Sequence, residues 1–131
     1  MKAIIMAGGE GTRLRPITCK MPKPAVPVKD KPMILHIIDL LEKNGIYDIA
    51  ITLKYLPGEI KKIVESAISR GDVKADIKFC TETAPLGTAG SVKNCIAECY
   101  ENSEEDFLII SGDAMTDINL REMIDFHKNF G

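Results

Sequence analysis

Unbroken apolar runs and helix-spaced apolar positions alternate along this chain. Ala3, Ile4, Ile5, Met6 and Ala7 form a run that ends abruptly at Gly8-Gly9, as a buried strand would. Met33, Ile34, Ile37, Ile38 and Leu41 then recur at helical spacing, and Gly45 stops the pattern. Asp48 to Leu53 reads as a second strand. Pro57 opens a second helix with Ile60, Ile63, Val64, Ala67 and Ile68 on one face, ended by Gly71. Ala75 to Cys80 alternates Ile77 and Phe79 as a third strand, Gly90 to Tyr100 is helical, and Phe107 to Ile110 is a fourth, buried strand. A last helix starts near Asn119, with Glu122 three residues on as in a capping box. The order βαβαβαβα implies an α/β fold: a doubly wound, mostly parallel sheet with helices on both faces.

Composition agrees with this class. The 131 residues are 45% hydrophobic but only 5% aromatic, with no Trp, so the core is aliphatic. No apolar run approaches the roughly 20 residues of a membrane span, and Lys2 is followed by too short an apolar run for a signal peptide. No membrane role is expected. Cys19, Cys80, Cys95 and Cys99 lack disulfide or zinc spacing. Cys95 and Cys99 could share a helix face, but two thiolates fall short of tetrahedral ligation. Reduced thiols in a cytoplasmic protein are expected.

Charge is distributed unevenly. Residues 13 to 31 hold Arg13, Arg15, Lys20, Lys23, Lys29 and Lys31 against Asp30 alone, a local charge of +5 in a chain of net −2. The remainder therefore carries −7. A positive loop on an acidic body favours a polyphosphate ligand and argues against nucleic acid. Five of the seven prolines (Pro16, Pro22, Pro24, Pro27 and Pro32) lie in the same stretch, which predicts a long, stiff loop without regular structure.

Ligands of a doubly wound sheet bind beyond the carboxyl ends of its strands. Three unusual segments fall there: Gly8 to Lys23, Glu82 to Gly90, and Gly112-Asp113. In the first, Gly8-Gly9-Glu10-Gly11-Thr12-Arg13 would let backbone N–H groups approach an anion. It is neither of the two commonest phosphate loops. No Gly-Lys pair exists for a Walker A loop, and Leu14 stands where a dinucleotide fingerprint needs its third glycine. Arg13 can make forked phosphate contacts, and Lys23 is held between Pro22 and Pro24. In the second segment Leu86 offers an apolar surface and Gly87 allows close approach to a flat ring; a plain strand-to-helix turn is the alternative. Asp113 can hold Mg²⁺ beside the phosphate loop or simply form a turn. Asp117 is expected to serve the last helix's N-terminus, and His36 and His127 to lie on helix surfaces.

The combination Gly8-Gly9-Glu10-Gly11-Thr12-Arg13-Leu14-Arg15-Pro16 with Pro22-Lys23-Pro24 resembles the signature of the sugar-1-phosphate nucleotidylyltransferases, or NDP-sugar pyrophosphorylases. These enzymes join a nucleoside triphosphate to a sugar 1-phosphate, giving NDP-sugar and pyrophosphate. The resemblance implies a Rossmann-like nucleotide-binding half, catalytic Arg13 and Lys23, and nucleotide contacts from Ala7, Gly8, Gly9, Gly11, Thr12, Glu82, Leu86, Gly87 and Thr88. It also implies Mg²⁺ on Asp113. Ser111 to Ile118 looks like the guanylyltransferase branch, which points to GTP with mannose 1-phosphate. A glucose-1-phosphate thymidylyl-, uridylyl- or adenylyltransferase, or a non-catalytic nucleotide-binding module, is the alternative. Such enzymes have a longer catalytic domain, so residues 1–131 are expected to be its N-terminal nucleotide-binding portion, truncated. An uncovered sheet edge is then expected to favour a homo-oligomer.

Overall fold

A computed structural model describes all residues from Met1 to Gly131. β1 (Lys2–Met6) leads into three 3-10 turns, Thr12–Leu14, Ile17–Cys19 and Lys23–Ala25, and then a small hairpin of β2 (Pro27–Val28) and β3 (Lys31–Pro32). There follow α1 (Met33–Lys43), β4 (Asp48–Leu53), α2 (Pro57–Ser69), β5 (Asp76–Thr81), α3 (Gly87–Cys99), β6 (Phe107–Ser111) and α4 (Leu120–Phe130). The main sheet has the order β5-β4-β1-β6, all parallel.

Side-chain alternation explains why helices cover both faces. From β1 and β4, the odd-numbered Ala3, Ile5, Ile49, Ile51 and Leu53 point into a core of 21 buried residues beneath α1 and α2. Even-numbered Ile4 and Ala50 join Cys80, Cys95 and Tyr100 in a core of only five beneath α3. The first face therefore carries most of the apolar burial, at about 25 cal/mol per Å². Helix ends follow the glycines. Gly45 and Gly71 are left-handed, with φ of 79° and 80°, and stop α1 and α2. Asn119 Oδ1 accepts from the Glu122 backbone N–H at 3.2 Å and caps α4.

Three expectations are corrected. The proline-rich loop is not irregular: each proline sets φ near the value of a 3-10 or extended residue, and the segment folds into successive tight turns. Its hairpin turns at Lys29 and Asp30, both with positive φ, and adds an antiparallel pair outside the main sheet. Ile68 is 41% exposed, because α2 rests on Ile60, Val64 and Ala67 and Ile68 lies on its flank. Asp117 makes no capping contact; Asn119 alone does so.

Strand order decides where a ligand can sit. From β1 the chain moves outward to β4 and β5 on one side, then returns to β6 on the other. The crevice at the carboxyl ends of β1 and β6 is thus the switch point of the sheet.

Candidate functional site

The loop after β1 is built to present its backbone. Gly11 is left-handed, with φ of 61°, and a Cβ there would lie 2.9 Å from Thr18 Cγ2 and 3.1 Å from Lys23 Cβ. Only glycine fits. Buried Thr18 donates from Oγ1 to the Gly11 carbonyl at 2.6 Å, and Tyr55 donates from its hydroxyl to the Thr18 carbonyl at 2.7 Å. So braced, the loop leaves the N–H groups of Gly8 to Arg13 without any acceptor in the protein. A run of successive free backbone donors is the chemistry an anion site uses.

Facing that loop is a cavity of about 230 Å³, lined by Ala7, Gly9, Gly11, Thr12, Arg13, Lys23, Ser111 and Asp113. Arg13 has no carboxylate partner, whereas Arg15 pairs with Glu10 at 3.6 Å and Lys31 with Asp39 at 3.9 Å. Part of the +5 is therefore used locally, and Arg13 remains free to meet an incoming anion. Lys23 Nζ lies 2.6 Å from Asp113 Oδ2. Ser111 Oγ donates to Asp113 Oδ1 at 2.5 Å. The Lys23 ammonium first, and the Ser111 hydroxyl second, hold the Asp113 carboxyl below the usual aspartate range. Gly112 places that carboxylate. Its N–H extends the β1–β6 ladder to Met6 O at 2.7 Å, and a Cβ there would lie 2.9 Å from that same oxygen.

A second cavity, of about 330 Å³, adjoins the first through Met6, Gly9 and Ser111. Gly8, Thr52, Lys54, Glu82, Leu86, Gly87 and Thr88 line it. Glu82 ends the β5 ladder, its N–H donating to Leu53 O at 2.7 Å, and is only 8% exposed. Its Oε1 is the one buried side-chain oxygen or nitrogen in the molecule without a hydrogen-bond partner. An unpaired buried carboxylate oxygen costs about 1–3 kcal/mol or more, so it is retained against stability. Gly87, with φ of 70°, starts α3 with nothing within 4 Å of its Cβ position; that position is open to the cavity.

Every residue expected at the site lines one of these two cavities, and Lys23 and Asp113, ninety positions apart, are brought into contact. Sequence reasoning missed Ser111, Thr18, Tyr55, Thr52 and Lys54. Of these only Ser111, two residues before Asp113 in a strand-end turn, carried a local signal. His36, half-buried, donates from Nε2 to Val28 O at 2.7 Å and ties α1 to the hairpin; His127 is exposed on α4. All four cysteines are unpaired. Burial, then Glu98, pushes the Cys80 thiol up to about 11, which marks it as an inert core thiol. No three His, Cys, Asp or Glu side chains converge to hold a metal. A cation at Asp113 would therefore take its remaining ligands from water and, once nucleotide is bound, from phosphate oxygens. The donor chemistry fits: one hard carboxylate, already holding a positive charge at Oδ2.

No helix is long and apolar enough to cross a membrane. The chain is 37% identical over 131 residues to mannose-1-phosphate guanylyltransferase 1 of Arabidopsis thaliana, covering all of this chain and 36% of that protein. Mannose-1-phosphate guanyltransferase of Emericella nidulans is 38% identical over 132 residues, with 35% of that protein covered. The chain thus spans about a third of the curated relatives it matches. Among solved structures, a Bacillus anthracis protein described as a glucose-1-phosphate thymidylyltransferase, in complex with sucrose, superposes with a TM-score of 0.84 at 28% identity. The match covers 98% of this chain and 50% of that one. HddC of Yersinia pseudotuberculosis, complexed with GMP-PN, gives 0.76 at 31% identity over 95% of this chain and 52% of that one. The nucleotidyl transferase family model matches residues 2–131, and the chain belongs to that family.

Proposed function

We propose that this chain is the nucleotide-binding part of an enzyme that transfers a nucleotidyl group from an NTP to a sugar 1-phosphate, releasing pyrophosphate. The observation that carries the reading is the joined pair of cavities. One is cationic with free backbone donors, and the other is partly apolar with a single buried acceptor. A triphosphate and a base have those two chemistries in that order.

Within the reading, the triphosphate lies on the N–H groups of Gly8 to Arg13, with Arg13 and Lys23 neutralising charge that grows as the α-phosphorus is attacked in line. Asp113 would hold Mg²⁺, which would supply further charge neutralisation at the phosphates. The one hydroxyl bonded to a carboxylate in these cavities, Ser111 on Asp113, anchors that carboxylate, and no protein nucleophile is required. The sugar phosphate oxygen is itself the nucleophile, so positioning and charge do the work.

Glu82 points to the base. As a carboxylate it only accepts, and guanine offers two adjacent donors on its pairing edge where thymine and uracil offer one. Guanylyltransferases among the relatives, and GMP-PN in HddC, support GTP with mannose 1-phosphate as the pair. A cytoplasmic setting belongs to the same reading, given four unpaired cysteines. Competition binding with GTP, dTTP, ATP and UTP, followed by pyrophosphate release with mannose 1-phosphate and Mg²⁺, tests it. GTP preference is expected. A dTTP preference overturns the base assignment, and no binding of any NTP overturns the site.

A further inference from the structure

Both oxygens of Asp113 are already engaged: Oδ1 by the Ser111 hydroxyl at 2.5 Å and Oδ2 by the Lys23 ammonium at 2.6 Å. The backbones behind the pair are fixed. Gly112 is bonded to β1, and the turn at Lys23 is closed by Val26 N–H to Lys23 O at 3.1 Å after extended Pro22. The two side chains are 35% and 37% exposed, so the flexible lysine stem can swing without unpacking any core. Lys23 and Asp113 line one cavity with Arg13 and the free N–H groups, and an anion there offers the ammonium a second partner a short swing away.

We propose that Lys23 is the resident counter-ion of Asp113 in the nucleotide-free protein and exchanges there with the divalent cation. Cation binding at Oδ2 and release of Lys23 toward phosphate are then one event. The inference rests on Asp113 being the metal ligand. An ammonium and a divalent ion on one oxygen repel each other, so each weakens the other's hold on Oδ2. Ser111 occupies one acceptor position of Oδ1, so the competition is sharpest at Oδ2, where ammonium and cation seek the same oxygen. The coupling is reciprocal by linkage: whatever draws Lys23 away from Asp113 tightens the cation, and the cation frees Lys23 for phosphate. Nucleotide and metal would thus bind cooperatively through one lysine, and the empty site would carry no naked carboxylate.

Mn²⁺ titration without nucleotide, followed by water-proton relaxation, tests this on the full chain, Lys23→Met and Asp113→Asn. Lys23→Met should bind Mn²⁺ about two- to fivefold more tightly, the range expected when a partly exposed ion pair stops competing. Asp113→Asn should lose the site. If Asp113→Asn loses Mn²⁺ but Lys23→Met binds it equally or more weakly, the exchange is wrong while the metal assignment stands. Mn²⁺ binding unchanged in Asp113→Asn removes the metal assignment and the exchange together. A measurement on the unaltered chain covers variants that fail to fold. Acetylation of Lys23, quantified by mass spectrometry, should rise when Mg²⁺ is added without nucleotide; an unchanged yield overturns the exchange.

Discussion

The two ends of the parallel sheet treat their polar groups in opposite ways. At the amino end, charges satisfy one another. Asp48 Oδ1 accepts from Lys78 Nζ at 2.6 Å and from the Tyr100 hydroxyl at 2.9 Å, and Lys78 also reaches Asp76 at 3.0 Å. Lys2 and the N-terminal ammonium both pair with Glu105. The Tyr100 ring lies 5.0 Å from Lys78 Nζ and 5.7 Å from Lys2 Nζ. At the carboxyl end, the N–H groups of Gly8 to Arg13, the Arg13 guanidinium and Glu82 Oε1 have no partner. One end closes the fold, while the other, apart from the Lys23–Asp113–Ser111 set, leaves groups without protein partners around two adjoining cavities. Groups left without a protein partner beside a cavity, of which Glu82 Oε1 alone is buried, mark the site more reliably than the number of charges does.

The contrast breaks most visibly at Lys23. Lys23→Ala should weaken GTP binding roughly ten- to hundredfold, the worth of one charge-assisted contact of about 1.5–3 kcal/mol, with little change in Tm. Unchanged titration curves would remove Lys23 from the phosphate site. Gly11→Ala should act on both properties. A Cβ at φ of 61° and 2.9 Å from Thr18 Cγ2 costs at least about 1–2 kcal/mol and displaces the loop that carries the free donors. Thermal melts and GTP titration on the same sample check this, and a stable variant with native affinity would contradict it.

A smaller effect tests the cost of openness. Glu82→Gln should reduce the preference for GTP over ATP by about tenfold, the loss of one hydrogen bond to a charged group. Stability should hold or rise, since an unpaired buried carboxylate disappears; a clear fall in Tm would mean that Glu82 is a structural residue. At the opposite end, Tyr100→Phe keeps the buried ring and loses only the bond to Asp48, costing about 0.5–1.5 kcal/mol. GTP affinity should not move. Loss of affinity there would dissolve the distinction between the two ends.

Acid affects both ends in the same direction. At Asp113 the Lys23 ammonium lowers the carboxyl; at Asp48 burial opposes ionisation, but hydrogen bonds from Lys78 and Tyr100 outweigh it. Both carboxyls are lower folded than unfolded, so protonation favours the unfolded chain. Their contribution is complete above about pH 4, the unfolded value for aspartate, and fades as pH falls through the folded values. Urea melts from pH 6 to pH 3 should show a shallower acid decline in Asp48→Asn than in the unaltered chain.

Much of this was legible from the sequence. The unbroken apolar run of β1, which buries Ile5 and Ile4 in opposite cores, the helix stops at Gly45 and Gly71, and the Asn119 cap are all local signals. So is the glycine loop. The proline-rich loop misled, because prolines report a fixed φ but not whether successive turns follow. The Thr18–Gly11 and Tyr55–Thr18 braces were invisible, since isolated polar residues acquire partners only when distant turns meet. The Lys23–Asp113 pair is hidden more deeply: each residue alone reads as a ligand-binding group, and nothing local relates positions 90 apart.

Amide chemical-shift mapping of the ¹⁵N-labelled chain with GTP and Mg²⁺ tests the central contrast directly. Perturbed amides should cluster at residues 8–13, 23, 82, 86–88 and 111–113, while Asp48, Lys78, Tyr100 and Glu105 stay silent. Shifts concentrated at those four residues, or none at the carboxyl end at saturating GTP, would contradict the account.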